Sequence, residues 1–176
     1  MTNHKILITY ASRSGSTAEI AEAIGERLTQ DGIQIDVLPI QEVKDLSAYW
    51  AVIAGSPIRN SKWLPEAMQF IESHRSVLSQ KPFATFTVSI TLAMSNTEPY
   101  RQAVLKWTQP VRALVQPVNE GLFAGRLDFS KLPINWDTLK LRAVVALGIF
   151  PKEDRCDWKA VSQWADGIHS LLLQKC

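Results

Sequence analysis

Strand-like and helix-like segments alternate along this chain, and that alternation constrains its fold more than any other feature. Ile6-Leu7-Ile8-Thr9-Tyr10 is a short β-branched and apolar run, of the kind buried on both faces of a sheet. A helical period follows, with Ile20, Ala21, Ala23, Ile24 and Leu28 on one face and Glu19, Glu22, Glu26 and Arg27 largely opposite. Asp31-Gly32 ends that helix. Ile33, Ile35 and Val37 then alternate with polar Gln34 and Asp36, as on a strand wet on one side near a sheet edge. Trp50 to Gly55 reads as a third strand, and Pro65 opens a helix to about Leu78 with Ala67, Met68, Phe70 and Ile71 as its apolar positions. Phe83 to Ser89 is a fourth strand. A helix capped near Asn96-Thr97 carries Val104, Leu105 and Trp107 before Pro110 kinks or ends it. Val118 to Ala124 makes a fifth strand. The last helix, Asp157 to about Leu173, is expected to bury Trp158, Val161, Trp164, Ala165, Ile168 and Leu172.

This pattern predicts an α/β fold: a doubly wound parallel sheet of five strands in the order 2-1-3-4-5, with helices on both faces, in a single domain spanning residues 1–176. Residues from about 125 to 156 break the rhythm. They read as an insert after or within strand five, with an apolar helix-like segment from about Trp136 to Leu147. In doubly wound sheets ligands bind beyond the carboxyl ends of the strands, where the strand order reverses. Three loops meet there: after Tyr10, after Gly55 and after Ser89.

Composition narrows the function classes. A net charge of +2, with no Lys/Arg cluster interleaved with aromatics, argues against nucleic acid. The three histidines, and Cys156 and Cys176, are scattered and lack metal-ligand spacing. No apolar run approaches the roughly 20 residues that span a bilayer. Met1-Thr2-Asn3-His4-Lys5 runs into a strand without the layout of a signal peptide, so a cytoplasmic location is expected.

Ser12-Arg13-Ser14-Gly15-Ser16-Thr17 lies between strand one and helix one. It offers four hydroxyls, a flexible glycine and the free N–H groups of a helix start, which together form an anion site. An ordinary helix cap needs only one hydroxyl. Several phosphate chemistries are absent. No Lys follows Gly15 as a P-loop requires, and the three glycines of a dinucleotide fingerprint are missing. The loop holds no cysteine nucleophile, and strand three ends in Gly55-Ser56 where a phosphoacceptor receiver needs an aspartate. What survives is noncatalytic holding of a phosphate by hydroxyls and amides.

This segment resembles the flavin mononucleotide (FMN) phosphate loop of flavodoxins, [ST]-x-[ST]-G-x-[ST], in both spacing and position. The resemblance implies a flavodoxin-like fold with FMN as cofactor. It also implies that Pro57, Ile58, Arg59 and Asn60 flank the flavin ring, while Ser89, Thr91, Leu92, Ala93 and Met94 line its other side and present amides to its polar edge. Trp63 is expected to pack against the core rather than stack on the ring. Tyr100 is expected on a helix surface.

Gly121-Leu122-Phe123-Ala124-Gly125-Arg126-Leu127-Asp128-Phe129-Ser130-Lys131-Leu132, with Asp157-Trp158 and Trp164-Ala165, resembles the menaquinone-dependent protoporphyrinogen IX dehydrogenase group. That group has an F-x-G-x-L-D-[YF]-x-x-L segment, an inserted loop and an R-D-W…W-A final helix. Cys156 stands where its arginine is usual, yet Asp157 remains able to cap the helix. The resemblance implies an oxidoreductase that oxidises protoporphyrinogen IX or a related reduced substrate with a quinone acceptor, and loose contact with a membrane. The insert then serves as an apolar wall for a flat substrate or as a flap over the sheet edge. The alternative is a flavodoxin-type electron carrier with a protein redox partner. Such carriers are usually strongly acidic, whereas this chain has a pI of about 8.6. No catalytic acid or base stands out.

Overall fold

Apolar runs without a polar face become the interior strands of the computed structural model, which describes residues 5–29, 32–94, 97–125 and 156–173 and four isolated positions between the last two stretches. Strands β1 (Lys5–Tyr10), β2 (Gln34–Pro39), β3 (Ala51–Arg59), β5 (Phe83–Ser89) and β6 (Glu120–Ala124) form a sheet in the order β2-β1-β3-β5-β6, every neighbour parallel. The expected five-stranded order is therefore realised. A two-residue strand, β4 (Lys62–Trp63), adds an antiparallel partner to β3.

Side chains alternate between the two sheet faces, and each face carries its own core. On one side Ile6, Ile8, Ile53, Phe86 and Phe123 pack under helices α1 (Ser16–Thr29) and α6 (Trp158–Leu173) through Ile20, Ile24, Leu28, Val161 and Ile168. On the other, Leu7, Val52 and Ala54 pack with Leu64, Ala67, Phe70 and Ile71 of helix α2 (Pro65–Ser73) and its approach, and with Val111 of α5 (Gln109–Leu114). β2 lies at the edge. Ile35 to Pro39 are half-buried and Gln34 is exposed, as its alternation implied.

Three local expectations need correction. The helix from Pro65 breaks at His74, where the backbone turns to φ −106°, and restarts as the short α3 (Arg75–Leu78). The helix carrying Val104 and Trp107, α4 (Glu98–Trp107), does end just before Pro110, as expected; α5 follows from Thr108 with Pro110 in its first turn, where the missing N–H costs nothing. Thr97 precedes α4 without a side-chain capping bond. Trp158 is 40% exposed rather than buried, because it begins α6 at the helix end. Asp157 does cap that helix, accepting the Ala160 N–H at 2.9 Å. Most of the insert expected at about 125–156 lies outside the described residues.

Candidate functional site

The carboxyl ends of β1, β3, β5 and β6 meet the start of α1. Ala11 extends the β1–β3 pairing by one bond, its N–H donating to Gly55 O at 3.0 Å. The chain then turns through Gly15, whose φ of 94° lies where side chains are strained. This conformation lets the Gly15 N–H donate to Ser12 Oγ at 3.1 Å, while its carbonyl accepts the first helical bond from Glu19 N at 3.1 Å. The N–H groups of Ser16, Thr17 and Ala18 thus have no acceptor within the helix, and the positive end of the α1 dipole coincides with them. Ser16 and Thr17 are buried beneath the turn, and Ser12 and Ser14 are half-buried.

Arg13 points its charge elsewhere. Its guanidinium pairs with Glu66 in the first turn of α2. Burial alone would raise the Glu66 carboxyl, but the Arg13 hydrogen bond, with a backbone N–H, outweighs it and holds the group below the ordinary carboxylate range. The turn is therefore lined by neutral donors.

Gly125, just past β6, is a neighbour that the spacing arguments do not single out. Its N–H donates to Ser89 O at 3.2 Å, and a Cβ there would lie 2.7 Å from Val88 Cγ1 and 3.4 Å from Ser16 Oγ. The only signal available was the glycine of the F-x-G segment.

The segment after Gly55 is not the open loop expected for Pro57 to Asn60. β3 continues to Arg59, and Asn60 (φ 48°) and Ser61 (φ 59°) form a two-residue turn into β4. Two successive left-handed residues match the twist of the flanking strands, which is why this short hairpin closes. Ile58 pairs with Trp63 and Arg59 with Lys62. Trp63 packs into the core as expected, 2% exposed, and its Nε1–H donates to Thr87 Oγ1 at 2.9 Å. Ser56 Oγ takes the Leu64 N–H at 3.0 Å. Together these bonds tie the hairpin to β5 and to the start of α2.

Beyond β5, residues Ile90–Ala93 form one turn of 3-10 helix. Ser89 is buried, with its hydroxyl 2.8 Å from that of Thr91. Thr91, Leu92 and Met94 are half-buried, while the side chain of Ala93 turns inward. Tyr100 is half-buried on α4. Among the described residues no group of three His, Cys, Asp or Glu converges as a metal site, and no helix is long and apolar enough to cross a membrane.

Comparison with known proteins identifies the family and the fold. The protoporphyrinogen IX dehydrogenase [quinone] of Escherichia coli is 30% identical over 88 residues, covering 49% of this chain and 49% of that protein. The chain thus aligns with about half the length of that curated relative. The protein of the same name from Leishmania major is 28% identical over 182 residues, covering 96% of this chain and 76% of its own. Oxidised Flavodoxin 2 from Bacillus cereus shares the fold, with a TM-score of 0.56, 23% identity and coverage of 98% of this chain and 99% of that one. The flavodoxin domain profile matches residues 7–149. The chain belongs to the flavodoxin domain family, whose cofactor is FMN.

Proposed function

We propose that this chain is an FMN-dependent oxidoreductase that oxidises protoporphyrinogen IX, or a related reduced organic substrate, at the expense of a quinone. The observation that carries the cofactor site is the first loop. Its left-handed glycine, three first-turn N–H groups without helical acceptors and surrounding hydroxyls offer neutral donors converging at a helix N-terminus. That donor set fits a phosphate monoester, held by amides and the helix dipole rather than by a cation.

In this reading Ser12, Ser14, Ser16 and Thr17 hold the phosphate with the amides around Gly15, and Arg13 braces the loop through Glu66. The hairpin from Pro57 to Asn60 forms one side of the ring site. Ser89, Thr91, Leu92 and Met94 form the other, with Ala93 contributing backbone. FMN, when bound, would supply the redox chemistry between donor and acceptor. The protein's part is to hold and orient the two reactants. The names of the Escherichia coli and Leishmania major relatives support the substrate assignment. The formal charge of +2 opposes a carrier that works by acidic steering.

The test is an anaerobic turnover assay with the FMN-loaded protein, protoporphyrinogen IX and a water-soluble menaquinone analogue. Porphyrin fluorescence should grow at a rate proportional to holoprotein. Oxidation no faster than the flavin-free background would remove the dehydrogenase reading while leaving the cofactor reading in place.

A further inference from the structure

Arg59 and Lys62 stand directly opposite each other across the β3–β4 hairpin. Like charges in that relation destabilise an antiparallel pair. They also flank a turn whose two central residues, Asn60 and Ser61, are both left-handed without being glycine. Among the described residues neither cation meets a carboxylate, unlike Lys5, Arg13, Arg27 and Arg112, which are ion-paired. The hairpin is held against this repulsion by the matched twist of its turn and by the buried indole of Trp63 with its bond to Thr87.

The period of two settles where this pair lies. Ile58 and Trp63 share the hairpin face that packs on the α2 side. Arg59 and Lys62 occupy the opposite face, with the parity of Gly55 and of Ile53, which packs under α1. β1 leaves β3 at Gly55, so Arg59 lies four residues further on, roughly 13 Å beyond the rim at about 3.3 Å per residue. The turn at the start of α1 needs no side-chain cation. The two free cations lie beyond the sheet rim, with the parity of the face that α1 covers.

We infer that Arg59 and Lys62 form a clamp for carboxylates on the substrate, so that the substrate class is an acidic organic molecule. This inference rests on the oxidoreductase reading and adds how its substrate is chosen. An anion between the two side chains removes their repulsion, which gives the unfavourable pairing a use. Two cations on one turn suit a small molecule better than a protein partner, whose steering requires a field of one sign over a wide surface.

The experiment uses the FMN-loaded protein and two probes, protoporphyrin IX and its dimethyl ester, in which the carboxylates are blocked. Binding is followed by quenching of protein fluorescence. The wild-type holoprotein should bind the diacid at least fivefold more tightly than the ester. Arg59→Gln should weaken the diacid roughly two- to fivefold, the usual range for one exposed ion pair. Lys62→Glu should weaken it about tenfold, because it both removes a cation and offers Arg59 an internal partner. The ester should be unaffected in both variants. Lys62→Glu places opposite charges across the hairpin, so its melting temperature should not fall, and a loss of binding cannot be blamed on unfolding.

Equal affinity of the wild type for diacid and ester, binding of neither, or a Lys62→Glu variant that keeps the preference would each overturn the clamp. Retention of FMN is read in the same samples. A wild-type protein that holds no flavin refutes the oxidoreductase reading itself, whereas a flavin-loaded protein indifferent to the carboxylates refutes only the clamp.

Discussion

Replacing Trp63 by phenylalanine tests whether the indole–hydroxyl bond beneath the site holds the hairpin. The Trp63 Nε1–H and Thr87 Oγ1 are 2.9 Å apart, and both residues are 2% exposed, so no water replaces a lost partner. Leaving the Thr87 hydroxyl without its donor costs about 1–3 kcal/mol. The smaller ring removes packing worth about 1 kcal/mol more, well short of a full truncation to alanine. The expected loss is thus about 2–4 kcal/mol. For a chain of this size each kcal/mol lowers the melting temperature by roughly 2–4 °C, so a fall of about 4–16 °C is expected. Thr87→Val should cost about 1–3 kcal/mol for the matching reason, an indole N–H without an acceptor. The double variant loses both polar groups together, so its cost should fall short of the sum by roughly 1–2 kcal/mol. Urea unfolding of the apoprotein, followed by circular dichroism, measures all four corners of the cycle. Additivity within about 0.5 kcal/mol would refute the argument, since two groups that do not interact leave no coupling.

Two further outcomes follow from the same structure. At the sheet edge the Lys5 ammonium, 2.7 Å from Asp36, and the Tyr49 hydroxyl, 2.6 Å away, hold the Asp36 carboxyl below the ordinary range against the effect of burial. Burial first, and then the Asp36 carboxylate, push the Tyr49 phenol up to about 12. Folding favours the protonated phenol, so its contribution to stability is complete below about pH 10 and lost as pH rises through 12. The Asp36 contribution has the opposite sense and disappears as pH falls below the carboxylate range. Ultraviolet titration of the folded protein should show a tyrosinate step near pH 12 that Tyr49→Phe abolishes; ionisation of Tyr49 near pH 10 in the folded chain would contradict this. In Gly125→Ala the new methyl must move Val88 and press on Ser16, with an overpacking cost of about 1–3 kcal/mol and weaker FMN binding. Val88→Ala in the same chain should relieve the cost, and unchanged stability and FMN affinity in the single variant would show that β6 does not abut the cradle.

The sheet order was legible because β1, β3 and β5 are apolar on both faces and β2 on only one, so burial alone sorts interior from edge. The first loop was legible because its hydroxyls, glycine and helix start are consecutive in sequence. Trp63 was read correctly as packed, from its place just before a helix. The hairpin that carries it was not, since β4 has only two residues and Asn60-Ser61 lacks the glycine that announces such turns. The break at His74 escaped for another reason: apolar spacing continues across it while the backbone does not. Trp158 lies on the same stripe as Val161 and Ala165, but periodicity is blind to a helix end, where burial stops. The pairing of Arg13 with Glu66 joins residues far apart in the chain, and no spacing rule reaches that distance.

The central claim is that Ser12 to Thr17 holds the phosphate of FMN, and comparing FMN with riboflavin tests it most directly. Riboflavin carries the same ring without the phosphate. Charge-assisted hydrogen bonds contribute about 1.5–3 kcal/mol each, so the apoprotein should bind FMN about a hundredfold more tightly or better. Gly15→Asp places a carboxylate in the cradle, at a backbone angle that disfavours any side chain, and should bring FMN down to the affinity of riboflavin. Equal binding of the two flavins by the wild-type protein, or a preference for FMN that survives Gly15→Asp, would contradict the assignment of this loop.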